Sequence, residues 1–140
     1  MPSWVIYAIF SAIFAALVAI LGKIGISRVD TILATTVRAV VMAVFLALVS
    51  LSLGKFDSPH SFGNKALVFI VLSGIAGALS WLFYFFALKD GHVAGVVALD
   101  RLSVVFVLIF AIIIFGDKLT WKSGLGAILV TTGAILMSLK

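Results

Sequence analysis

The chain has 140 residues, 64% of them hydrophobic, and its whole formal charge is ten basic and five acidic side chains. A soluble domain of this length carries about 35 charged residues and covers itself with polar surface, so a soluble enzyme, a disordered chain and a secreted disulfide scaffold are excluded. One integral membrane domain remains, with a mean hydropathy of +1.37.

The pI of about 9.9 does not point to nucleic acid. The basic residues are scattered singly, without the run or stripe that a phosphate backbone needs. Cysteine and glutamate are absent, and histidine occurs only as His60 and His92. A thiolate metal site and a cysteine nucleophile are excluded, a metalloenzyme site is hard to assemble from this inventory, and no cofactor is expected.

A membrane-crossing helix needs roughly 20 mostly apolar residues. The first such stretch is 3–21. It lacks a basic leader and a polar cleavage segment, so it reads as a retained helix rather than a signal peptide. Lys23, Arg28 and Asp30 mark the loop from Gly22 to Asp30. The second span is 31–53, with Asp30 or Thr31 as its N-cap, and Arg38 lies inside it. A polar loop from Gly54 to Asn64 has turn composition and contains His60. Span three is 66–88 and uncharged. Lys89-Asp90-Gly91-His92 is a tight loop. Span four is 93–115, interrupted by Asp100 and Arg101. Gly116-Asp117-Lys118 is the next turn, and Thr120 caps span five, 121–139. The expected fold is therefore an all-α bundle of five membrane spans. Trp4 and Trp121 sit at span ends, as interfacial tryptophans do, whereas Trp81 lies inside span three.

An odd number of spans puts the termini on opposite faces. Lys55, Lys65, Lys118 and Lys122 fall on one face, and Lys23, Arg28, Lys89 and Lys140 on the other. The positive-inside rule then gives no preferred orientation. Either topology is set by something else, or the chain inserts both ways and pairs antiparallel, recreating the inverted repeat of many transporters.

A charge at the bilayer centre costs roughly 2.5–3.5 kcal/mol. Arg38 and Asp100 each lie seven residues into a span that starts from the same face, roughly 10 Å deep. Ser80, Trp81, Tyr84 and Arg101 fall in the same layer. Asp100 and Arg101 point about 100° apart on a helix, so Asp100 is free to pair with Arg38 while Arg101 seeks another partner. One reading is a purely structural ion pair. The other gives at least one of the three a role in substrate binding or coupling. Trp81 and Tyr84 are either packing residues or aromatic walls of a site. Lys23 is either a snorkelling anchor or a site residue, and both histidines read as solvated loop residues. Two positive charges against one negative favour an anionic or zwitterionic solute over a bare cation.

Small residues recur at four-residue spacing in Ala12/Ala16, Ala15/Ala19, Gly74/Ala78 and Gly91/Gly95. That spacing allows close helix approach. In span five, Gly124, Gly126 and Gly133 with Thr131 and Thr132 form a possible oligomer seam.

The order of these features resembles the EamA family of the drug/metabolite transporter superfamily. The segments that carry it are Leu21-Gly22-Lys23-Ile24-Gly25, Thr36-Val37-Arg38, Ser80 to Ala87, Leu99-Asp100-Arg101-Leu102-Ser103 and Phe115-Gly116-Asp117-Lys118-Leu119. Family members usually carry Glu where Asp117 stands. Ten-span members consist of two five-span repeats in opposite orientation, and this chain looks like one repeat. The resemblance implies a small-solute transporter in the cell membrane, working as an antiparallel homodimer. Arg38, Asp100, Arg101, Trp81, Tyr84 and Lys23 are its candidate site residues. The rival readings are an accessory membrane subunit without a site of its own and, more remotely, a membrane enzyme, for which no nucleophile–base pair can be assembled.

Overall fold

The computed structural model describes residues 2–57 and 63–139, with no strand among them. The helices are α1 (Ser3–Ile26), α2 (Thr31–Ser52), α3 (Asn64–Asp90), α4 (Val93–Asp100), α5 (Ser103–Phe115) and α6 (Trp121–Ser138). A single 3₁₀ turn, Lys55–Asp57, follows α2. The expectation for His60 and the charge assigned to Lys140 lie outside the described residues.

Local chemistry sets several ends. Asp30 caps α2, its carboxylate accepting the Leu33 N–H at 2.9 Å. Thr120 caps α6 by accepting the Ser123 N–H at 3.1 Å. Gly116 ends α5 in the left-handed conformation at φ 68°, which a Cβ would strain. Two loops are shorter than expected. Helix α1 continues through Lys23 to Ile26, and α3 continues through Lys89 to Asp90. Helical hydrogen bonding runs on after the apolar run has ended, because Lys23 and Lys89 are good helix formers.

Three helices, α1, α2 and α3, and the segment Val93–Phe115 are long and apolar enough to cross a membrane. The fifth expected span, α6, is 18 residues long and is diluted by Lys122, three glycines and four hydroxyl side chains. It does not meet the same standard. Large apolar side chains are exposed along the helices, Phe83 at 68% and Ile113 at 73% among them. In water such a surface would drive aggregation; in a bilayer it is the solvent-facing surface.

Segment Val93–Phe115 is not one uniform helix. Arg101 and Leu102 keep right-handed helical angles, so the chain does not turn away. The bonding tightens instead. Leu102 N–H donates to Leu99 C=O at 3.0 Å, Val104 N–H to Arg101 C=O at 3.1 Å and Val105 N–H to Leu102 C=O at 2.9 Å. This three-residue spacing is a 3₁₀ step inside a span, placed at Asp100 and Arg101.

The helices form two compact units, Met1–Lys23 with Asp90–Lys140, and Ile24–Lys89. In the first, α4 packs on α6, with Gly95, Ala98 and Ala134 buried. Small residues here do let helices approach closely. Two polar side chains cross-link the unit. Lys23 Nζ donates to Gly91 C=O at 2.9 Å. His92 Nε2 bonds Met137 C=O at 3.0 Å, satisfying a carbonyl that the end of α6 leaves without a helical partner. In the second unit, Ile26, Thr31, Phe85 and Leu88 are buried, and a cleft opens between α2 and α3.

Candidate functional site

Helix α3 presents Trp81, Tyr84, Phe85 and Leu88 at spacings of three, four and seven residues, which is one helical face. The three rings pack on one another. Trp81 and Phe85 stack with centroids 5.8 Å apart and an interplanar angle of 28°. Tyr84 meets both edge-on, at 5.5 Å from Trp81 and 5.7 Å from Phe85. Both arrangements suit the ring quadrupoles.

From α2, Arg38 lays its guanidinium on this cluster. Its Cζ lies 3.7 Å from the Trp81 ring centroid and 5.1 Å from that of Phe85. A half-buried cation on an aromatic face gains about 1–2 kcal/mol. That offsets a large part of the roughly 2.5–3.5 kcal/mol that an arginine costs at the centre of a span. Within Ile24–Lys89, among the described residues, no carboxylate pairs with Arg38.

Beside this stack lies the cleft, of about 520 Å³. From α2 it takes Ile32, Thr35, Thr36, Arg38, Ala39 and Met42. Gly74, Gly77, Ala78, Trp81 and Leu82 complete it from α3. Its volume falls in the usual range for small-molecule pockets, about 300–1,000 Å³. The threonine hydroxyls are already engaged. Thr35 donates to Thr31 C=O at 2.7 Å and Thr36 to Ile32 C=O at 2.9 Å. A Cβ at Gly74 or Gly77 would meet nothing within 4 Å. The Gly74/Ala78 pair therefore does not serve close helix approach; it leaves room in the cleft.

Of the six residues singled out from sequence, Arg38, Trp81 and Tyr84 come together in this unit. Asp100 and Arg101 stand exposed at the 3₁₀ step between α4 and α5. Lys23 is half-buried at the end of α1, bonded to the Gly91 carbonyl. Ser80 is exposed and does not line the cleft.

Sequence reasoning passed over two residues. Phe85 reads as one aromatic among several, yet it is buried at 2% exposure and stacked on Trp81. Its position four residues after Trp81 was the available signal. His92 reads as a solvated loop residue, yet it is half-buried and bonded to Met137. No local pattern announces that contact, because the partner is 45 residues away.

Comparison with known proteins agrees with the membrane architecture. The EamA-like transporter family matches residues 2–139. A protein of Sinorhizobium sp. named "Uncharacterized transporter in cobO 3'region" is 38% identical over 136 residues, covering 97% of this chain and 96% of the relative. No solved structure matches the chain. With nearly the whole sequence matched by the family and by a relative of similar length, the chain belongs to the EamA-like transporter family.

Proposed function

We infer that this integral membrane protein carries a small solute across the cell membrane as an antiparallel homodimer, with the α2–α3 cleft as a solute seat. The observation that carries the reading is the arginine held on an aromatic face beside a cleft of about 520 Å³ in an otherwise apolar pair of spans. Charged residues within spans mark solute and ion pathways more often than they serve packing. Family membership and the transporter-named relative of near-equal length support transport as the activity. Helix α6 completes the fifth crossing in this reading. At 18 residues it is about 27 Å long, close to the roughly 30 Å of hydrocarbon.

The dimer reading rests on the even split of basic residues between the two faces and on the resemblance to ten-span proteins built from two opposed repeats. Two antiparallel copies place the solute seat of each near a shared midplane. Asp100 and Arg101 act as coupling residues at the 3₁₀ step.

The absence of cysteine makes the test direct. A single cysteine at Ser27, between α1 and α2, is labelled from outside intact cells with a membrane-impermeant maleimide. Dual orientation predicts labelling of about half the molecules, rising to all when the cells are permeabilised. The same protein in proteoliposomes should accumulate solute and elute as a dimer. Labelling that is complete or nil from outside overturns the antiparallel arrangement, and inert proteoliposomes overturn transport.

A further inference from the structure

We propose that the α2–α3 cleft selects a monocarboxylate with a compact apolar body, its carboxylate held by the edge of Arg38. The proposal rests on the reading of the cleft as a solute seat and names the class of solute.

Charge decides the first point. Among the described residues, Arg38 is the single charged one lining the cleft, and no carboxylate lines it. An organic cation would meet a fixed positive charge at short range. It would also need an aromatic face, and the face of Trp81 is already taken by the guanidinium at 3.7 Å. The cation seat of this aromatic cluster is filled from within the protein.

Geometry decides the second. A guanidinium stacked through its face keeps its N–H donors in its own plane, pointing away from the ring. That edge matches the two oxygens of one carboxylate in a fork of parallel hydrogen bonds. A phosphate dianion presents three oxygens and a second charge, and among the described residues the cleft holds no second cation for them.

The remaining lining decides the third. Thr35 and Thr36 spend their hydroxyl protons on their own helix. Ile32, Ala39, Ala78 and Leu82 offer only carbon, and Met42 adds no more than a thioether sulfur, a weak acceptor. The threonine oxygens can still accept and the Trp81 indole can donate, but the many hydroxyls of sugars, polyols and nucleosides outnumber these groups, at roughly 1–3 kcal/mol for each one left unpaired. An apolar body loses nothing there. Gly74 and Gly77 give that body its space, since a side chain at either position would project into open volume.

The test uses three probes with one body and different heads: phenylacetate, phenylacetamide and phenethylamine. Binding is measured by titration calorimetry on the full chain in lipid nanodiscs at neutral pH. Phenylacetate should bind at least tenfold more tightly than the amide or the amine. Arg38→Gln should remove that preference, and Arg38→Lys should weaken phenylacetate severalfold by losing the fork while keeping the charge. Gly77→Leu fills the cleft while keeping Arg38 in the sequence and should abolish binding. Gly74→Leu, at a second open position, guards against a folding defect in the first variant.

The outcomes separate the proposal from the reading beneath it. If the amine or the amide binds as well as the acid, and Gly77→Leu and Gly74→Leu abolish that binding, the cleft is a solute seat and the monocarboxylate assignment is overturned. If phenylacetate binds wild type, Gly77→Leu and Gly74→Leu alike, the cleft is not the seat. If phenylacetate does not bind wild type at all, the proposal is overturned.

Discussion

A Cβ added at Gly95 would collide with the His92 imidazole. The ring is held where it is by the 3.0 Å bond to Met137 C=O, so Gly95→Ala must push it out. Three contributions then compete. Losing the hydrogen bond costs about 1 kcal/mol. Crowding in a packed contact costs about 1–3 kcal/mol, less where a side chain can swing aside as His92 can. Replacing a helical glycine by alanine gains about 1 kcal/mol. The net expectation is a loss of about 1–2 kcal/mol in the wild-type background. With His92→Ala already in place, neither the ring nor its bond remains to be lost. Gly95→Ala should then stabilise by about 0.5–1 kcal/mol, its helix-propensity gain alone. The sign of one substitution thus reverses with the residue three positions away. Reversible SDS unfolding in mixed micelles, followed by far-ultraviolet circular dichroism, measures all four proteins of the cycle. Equal stabilisation by Gly95→Ala in both backgrounds would refute the claim that His92 fastens the start of α4 to the end of α6.

The same unfolding assay tests three further expectations. Trp81→Leu should cost about 1–2 kcal/mol and Trp81→Phe distinctly less, because phenylalanine keeps a π face for Arg38; equal losses would show that ring volume matters and the cation does not. Thr31 is 1% exposed and its hydroxyl has no hydrogen-bond partner among the described residues. Thr31→Val should therefore leave stability unchanged or raise it by up to about 1 kcal/mol, whereas a loss beyond that would reveal a partner for the hydroxyl. Arg38 and Asp100 each stand seven residues past the start of their helices, at Thr31 and Val93. An Arg38 edge kept for a solute predicts additive losses for the two alanine substitutions; a double variant less damaged than the sum of the single ones would mean that the two charges pair.

What could be read in the sequence, and what could not, follows the range of the forces involved. The spans show as charge-free runs because the bilayer acts on each segment alone. The caps at Asp30 and Thr120 are equally local, since a capping oxygen bonds a backbone N–H two or three residues on. The depth shared by Arg38 and Trp81 was visible by counting residues, and the structure brings the two side chains into contact. Other features are not local. Gly91/Gly95 and Gly74/Ala78 have the same spacing, yet Gly95 is buried against His92 whereas Gly74 faces a void. Spacing places small residues on one face and says nothing of what that face meets. The 3₁₀ step at Arg101 is hidden for a related reason. Its residues keep helical angles, and only the hydrogen-bond register changes.

The choice of partner for Arg38 connects stability to function. An arginine within a span can be made tolerable by a carboxylate or by aromatic faces. A carboxylate neutralises the charge and occupies the N–H donors, so the pair presents little to a solute. Aromatic faces act through the ring quadrupole. They stabilise the cation from above its plane and leave both its charge and its N–H edge in place. Within Ile24–Lys89 the arrangement is of the second kind, with Trp81 at 3.7 Å and Phe85 at 5.1 Å. A structural role alone would be served at least as well by an apolar residue in place of the arginine, since buried charged groups and their hydrophobic replacements are often equal in stability. An arginine that stays charged on aromatic faces and lines a cleft of about 520 Å³ suits the proposed role of binding and releasing an anion.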